Sequence, residues 1–316
     1  MENGKMENRG YEGTQRSRKI EEAEIAIEGG SLRYIKREQD ITITAFSGLA
    51  SEVAVPGEIA GGRVVSIAKK AFLSKKNLRK VALPDTLREV GDWAFAYCDN
   101  LQQVEFYLGD VAFGKAVFLE CGRLQALRIR EKEEAVAALL AAAVTTADAP
   151  YLLNLEEAGE RAWLAKWDAR MLAILHSEDT EGYSKQVLCG EEDYGSTDLD
   201  AYTSGRRRVK VRLGMLRLLN DVGLEQSVRQ ELREYLCAHG KGCGSEETWQ
   251  VILQEHGDER AYFQLLTKLG CVTEENFADM LADMGEEHPE MKAYMLRYQA
   301  EELTRTDFFD SMDLDL

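Results

Sequence analysis

This 316-residue sequence is poor in the groups that catalysis uses. Its only histidines are His176, His239, His256 and His288, and none stands beside a serine or cysteine in a nucleophile arrangement. It has no phosphate loop, no dinucleotide fingerprint and no His-Glu-x-x-His pair. An active site needs convergent polar groups, so we expect no catalytic residues, no enzyme activity and no cofactor. Long apolar runs are missing as well. A membrane helix needs ~18 consecutive apolar residues, whereas the best candidate, Ala135 to Val144, is short and alanine-rich. The first residues are polar and lack an apolar signal core. They read as a disordered leader over 1–20, on a chain expected to be cytoplasmic and away from membranes. Positive charge is in deficit: 56 acidic against 39 basic side chains leave −17, which disfavours phosphate backbones as partners. The six cysteines are too scattered for a disulfide scaffold. They read as free, mostly buried thiols.

What the sequence does have is a repeat. Phe72, Phe95 and Phe118 follow one another at a step of 23 residues, as do Leu78, Leu101 and Leu124. Val81, Val104 and Leu127 keep the same step, with Leu83, Phe106 and Ile129, and Ile67, Val90 and Phe113. One coil of a solenoid cannot bury its apolar edge alone, but stacked coils share a continuous core. Leu78-x-x-Val81-x-Leu83 alternates as a strand with one buried face should. Pro84-Asp85 then ends it, because proline gives no donor to a ladder. Gly91-Asp92 marks a second turn before Ala94-Phe95.

The segment VALPDTLREVGDWAFAYCDNLQQVEF resembles the BspA-like leucine-rich repeat family. Phe95, Cys98, Asn100 and Leu101 occupy that family's aromatic and Cys-x-Asn-Leu positions. Upstream, Val55, Pro56, Gly61, Val64, Ile67, Ala71 and Phe72 fit its usual hairpin, Val-Pro step and Ala-Phe unit. The resemblance covers roughly residues 38–130 and implies a short β-rich solenoid that binds other proteins. Cys98 and Cys121 share one column and read as buried small hydrophobes.

By alternation, Lys80, Gln103, Glu105, Tyr107, Arg128 and Arg130 point outward from the strands. They form the candidate protein-binding face. The partner's identity and the oligomeric state are not written in the sequence.

From Glu131 the pattern becomes helical. Val136, Leu139, Leu140 and Ala143 share a face, as do Trp163, Leu164, Trp167, Met171, Leu172 and Leu175. The acidic stretch over 177–205 lacks calcium-loop spacing and reads as a connecting loop, with a short helix around Lys185 to Leu188. Helices are expected again at Val209–Leu219, Leu224–Cys237, Glu246–Glu255, Glu259–Leu269, Phe277–Met284 and Met291–Glu302, with Thr273 as an N-cap. Residues 265–302 resemble an ankyrin- or HEAT-like terminal unit. The expected architecture is α+β: a leader (1–20), a leucine-rich repeat domain with a hairpin cap (21–130), an all-helical repeat domain (131–303) and an acidic tail (304–316).

Two features support an alternative role in regulation. The run Arg206-Arg207-Arg208-Val209-Lys210-Val211-Arg212 is basic and suits an acidic partner or nucleic acid. Cys237, His239 and Cys243 are good zinc ligands, with Cys271 as a candidate fourth. The weight of composition stays with a non-catalytic scaffold or adaptor, without metal or nucleic acid.

Overall fold

The structure is a computed structural model that describes residues 20–184 and 198–303. The leader up to residue 19, the short helix expected at Lys185 to Leu188 and the acidic tail lie outside the described residues.

Three antiparallel strands come first: β1 (Ile20–Ile27), β2 (Gly30–Arg37) and β3 (Asp40–Gly48). Period-two alternation buries Leu32, Tyr34, Ile41 and Ile43 on one side, and a register shift in the β2–β3 pairing brings Phe46 to the same side. The turn between β1 and β2 needs glycine at Gly29, where φ is +75° and a Cβ would lie 2.5 Å from the Ala50 Cβ.

The chain then coils. Short strands follow as β4 (Glu52–Ala54), β5 (Glu58–Ile59), β6 (Gly62–Ile67), β7 (Lys80–Ala82), β8 (Glu89–Val90), β9 (Gln103–Phe106), β10 (Ala112–Phe113) and β11 (Ala126–Ile129). They form two sheets. One runs β1-β2-β3-β6-β8-β10, with β5 on β6; the other is β11-β9-β7-β4 and wholly parallel. Lys80 pairs with Gln103 and Gln103 with Ala126, so each coil repeats the last one 23 residues on. The stacked coils bury the predicted columns: Phe72, Phe95, Leu78, Leu101, Val81 and Val104 are all fully enclosed. Each such side chain contributes roughly 1.5–3 kcal/mol through burial.

The aromatic column is longer than the repeat predicts. Phe46 stacks on Phe72 at 5.5 Å between ring centroids, Phe72 on Phe95 at 4.9 Å and Phe95 on Phe118 at 5.7 Å. Phe46 escapes a search at period 23 because the β5–β6 hairpin lengthens the first coil. A second ladder is polar. Cys98 Sγ donates to the Phe72 carbonyl and Cys121 Sγ to the Phe95 carbonyl, each at 3.1 Å. Burial pushes these thiols up, Cys98 to about 11 and Cys121 to about 12. Both are free, as the column reading expects.

The fourth coil stops after β11. Where its next strand would fall, the alanine-rich segment takes the helical form for which alanine is best suited. It forms α1 (Glu134–Thr145), which packs against β11 and buries Val136, Leu139 and Leu140. A short 3₁₀ turn follows at Pro150–Leu152, then α2 (Arg161–His176). Trp163 and Trp167 are buried on α2, and their indole N–H groups donate to the carbonyls of Leu152 and Leu139, both at 2.9 Å.

The remaining helices are α3 (Leu199–Leu219), α4 (Gln226–Ala238), α5 (Glu247–Glu255), α6 (Arg260–Leu269), α7 (Glu274–Met284) and α8 (Pro289–Tyr298). Thr273 caps α7 in a reciprocal box with Asn276. Gly270 ends α6 in the left-handed region, at φ +74°. Helix α3 starts ten residues before the expected Val209. Asp198 accepts from the Asp200 and Ala201 N–H groups, and this cap offsets the cost of Gly205, about 1 kcal/mol. The packing is centred on this helix, which contacts α1, α2, α4, α5 and α6. Arg217 on α3 is fully buried, with Nε 2.6 Å from Asp168 Oδ1 on α2. It also donates to the carbonyls of Asn220 and Val222. No helix is long and apolar enough to cross a membrane among the described residues.

Candidate protein-binding face

The parallel sheet sets its outward residues in columns, because paired strands keep alternation in register. Glu52, Lys80, Gln103 and Ala126 form one column. Ala54, Ala82, Glu105 and Arg128 form the next. Just beyond the strands, the Arg130 guanidinium lies 4.4 Å from the Tyr107 ring centroid, and its Nε donates to Glu105 at 3.1 Å. All six predicted face residues therefore lie on this sheet or at its margin.

The face has a wall that alternation does not reveal. Glu134 and Ala138 of α1, with Asn220 at the end of α3, stand beside Lys80, Gln103 and Arg128 and enclose a groove of about 460 Å³. Arg128 donates to Glu134 at 2.7 Å, a bond that raises its guanidinium above the ordinary value. In the floor, Gln103 Nε2 and Arg128 Nε are shielded and have no acceptor among the described residues. Most buried polar atoms do have one. The signal for the wall was Glu134 itself, an acid placed close after Arg128 in sequence.

The cysteine cluster is corrected. Cys237 forms a disulfide with Cys271, across a Cα–Cα distance of 4.8 Å. That pairing overturns the expectation of free thiols at these two positions. It also removes two of the four proposed zinc ligands, since only a thiolate binds the metal. The cause is tertiary: the end of α4 meets the end of α6, where Cys271 follows Gly270. His239 Nδ1 turns to the Tyr235 carbonyl at 2.8 Å. Among the described residues no cluster of histidine, cysteine and acidic side chains could hold a metal.

The basic run lies within α3, and its cations have partners inside the protein, some of them in the acidic stretch just upstream. Arg206 donates to Ser177, and Arg207 to Glu247 and Asp179. Arg208 and Arg212 share Glu255, and Lys210 bonds Asp179 at 2.7 Å. The Arg212 hydrogen bond, helped by Arg208, holds the Glu255 carboxyl at about 2. Cations committed to buried or half-buried carboxylates are poor phosphate ligands.

Coils of this length, with aromatic and cysteine ladders inside and a parallel sheet outside, define a leucine-rich repeat solenoid. Residues 57–138 match the family described as BspA type leucine rich repeat region, in 6 copies. Leucine-rich repeats of this kind typically mediate protein–protein contacts and are generally not enzymes. Solved structures with similarity include a leucine-rich repeat protein from T. pallidum, at 26% identity and a TM-score of 0.26, over 32% of this chain and 58% of that one. A leucine-rich cell surface protein from Faecalibacterium prausnitzii is 23% identical, with a TM-score of 0.30, over 34% of this chain and 31% of that one. A leucine-rich repeat protein from Bacteroides capillosus is 21% identical, with a TM-score of 0.27, over 32% of this chain and 78% of that one. The matched part thus spans under two thirds of the first two proteins. No curated protein matches the chain.

Proposed function

We propose that the chain is a non-catalytic scaffold or adaptor that binds another protein along the sheet face. Lys80, Gln103, Glu105, Tyr107, Arg128 and Arg130 are the contact residues. The observation that carries this reading is the Tyr107–Arg130 stack at the margin of a walled, ordered sheet. Tyrosine and arginine are among the residues enriched as interface anchors. Two donors in the groove floor, without acceptors among the described residues, add a polar requirement for the partner.

The test is affinity capture with the whole chain from its native source, followed by titration of the captured protein. Tyr107→Ala and Arg128→Glu should each weaken binding about tenfold or more, a loss typical of an interface anchor, while the melting temperature holds. Full retention of the partner by both variants would remove the face from the account.

The Cys237–Cys271 disulfide bears on location. Such bonds persist in oxidising compartments and are rare in the cytosol, which weighs against the cytoplasmic expectation.

A further inference from the structure

The solenoid ends unevenly. On the parallel sheet, β11 is covered by α1. On the other sheet the last strand is β10, and among the described residues nothing pairs with its outer edge. Inside the solenoid each coil is bonded to the next through a fixed set of main-chain groups. The N–H groups of Trp93, Phe95 and Tyr97 donate to the carbonyls of Lys115, Val117 and Leu119. Conversely, the Ala112 and Gly114 N–H groups donate to the carbonyls of Arg88 and Val90.

Advancing one coil gives the groups left over. Ala116, Phe118 and Glu120 carry the equivalent donors, and Val111 and Phe113 the equivalent acceptors. Among the described residues none of the five makes a bond of that kind. Phe118 is only 4% exposed, so its N–H is largely withdrawn from water as well. Buried main-chain donors are nearly always paired, and a bare sheet edge is a template for another strand.

The edge is also one wall of a groove of about 730 Å³. Val144, Tyr151 and Leu153 form the opposite wall, and Tyr151 is 64% exposed. Asp92, Asp110 and Asp148 stand around it with Lys115 as the only lining cation among the described residues. None of the three carboxylates has a cationic partner among the described residues.

We propose that this groove accepts a lysine- or arginine-bearing peptide segment of a partner protein, which adds to β10 as the missing short strand and turn of the fourth coil. Main-chain pairing supplies the affinity, as in other strand additions. The acidic margin selects for positive charge on the segment. This site is separate from the sheet face and opens on the other sheet of the solenoid.

The test uses the whole chain and a blocked synthetic peptide copying residues 112–119. That peptide presents the carbonyl pattern that serves the preceding coil, and it carries one lysine. Amide hydrogen exchange should slow at Ala116, Phe118 and Glu120 when the peptide is present in millimolar amounts. Methylating the peptide nitrogens equivalent to Ala112 and Gly114 should reduce affinity at least tenfold. Asp110→Lys should weaken the lysine peptide about fivefold and strengthen its glutamate version. Tyr151→Ala, a change at an exposed side chain, should weaken both. Unchanged exchange at the three amides, or equal binding of the methylated peptide, would overturn the proposal. So would protection that rises with protein concentration alone, which would assign the edge to a second copy of the chain.

Discussion

Phe95→Ala removes the central ring of the aromatic column, which packs on Phe72 at 4.9 Å and Phe118 at 5.7 Å. Truncating a buried phenylalanine costs about 3–5 kcal/mol. Each aromatic contact is worth about 0.5–1.5 kcal/mol beyond area burial. Phe118 contacts one ring of the column and sits in its last coil, so Phe118→Ala should cost about 1 kcal/mol less than Phe95→Ala. A sharper expectation concerns coupling. In a solenoid each repeat interacts with its immediate neighbours. A double-mutant cycle for Phe72 and Phe95 should return about 0.5–1.5 kcal/mol. The cycle for Phe72 and Phe118, one coil further apart, should return less than about 0.5 kcal/mol. Amide exchange at β7 and β9 is the assay of choice, because it reads opening of the coils apart from the helices. A Phe72–Phe118 coupling as large as the adjacent one would refute the nearest-neighbour account of this core.

Three further perturbations test the helical part. Arg217→Met leaves the Asp168 carboxylate buried without its partner and should cost about 3–5 kcal/mol in denaturant titration. Adding Asp168→Leu should recover most of that loss, and no recovery would mean that the arginine acts chiefly through its carbonyl contacts. Glu255 carries a depressed pKa, about 2 against an ordinary 4.5. Its contribution to stability is therefore fully present above about 4.5 and is lost as the pH falls towards about 2. The advantage of the native chain over Glu255→Gln should shrink across that window in acid unfolding curves, and a constant gap would break the assignment. Opening the Cys237–Cys271 bond releases a loop of sequence separation 34, worth up to about 4 kcal/mol in the chain-entropy estimate. A reductant should lower the melting temperature of the native chain but not that of Cys237→Ser.

The solenoid was legible because its physics is periodic. Columns at Phe72, Leu78, Val81 and Ile67 predicted the buried ladders, and alternation predicted which side chains face out. Phe46 was hidden by the longer first coil. The helices were readable from apolar spacing and from caps such as Thr273. Their arrangement was not, since the central position of α3 depends on contacts distant in sequence, such as Arg217 with Asp168 across 49 residues. The same limit explains the cysteines and the basic run. A sequence shows Cys237 beside His239, but only the fold brings Cys271 to it. Likewise Glu247 and Glu255 follow the arginines by some 40 residues and are set against them by packing.

One departure from the repeat shapes both candidate surfaces. Residues 131–138 should have turned the chain into the second strand of coil four. Because Glu134 to Thr145 is helical instead, three consequences follow from one segment. The apolar end of the solenoid under β11 is closed by Val136, Leu139 and Leu140. Glu134 and Ala138 become the wall of the sheet face, with Glu134 tied to Arg128. And β10, deprived of its neighbour, keeps a row of main-chain groups unpaired among the described residues, beside Tyr151 and Leu153. A regular fourth coil would have paired that edge and left the sheet face flat. The helix thus trades repeat regularity for two walled grooves, one on each sheet, and a break in periodicity is where the binding surfaces of this chain should be sought.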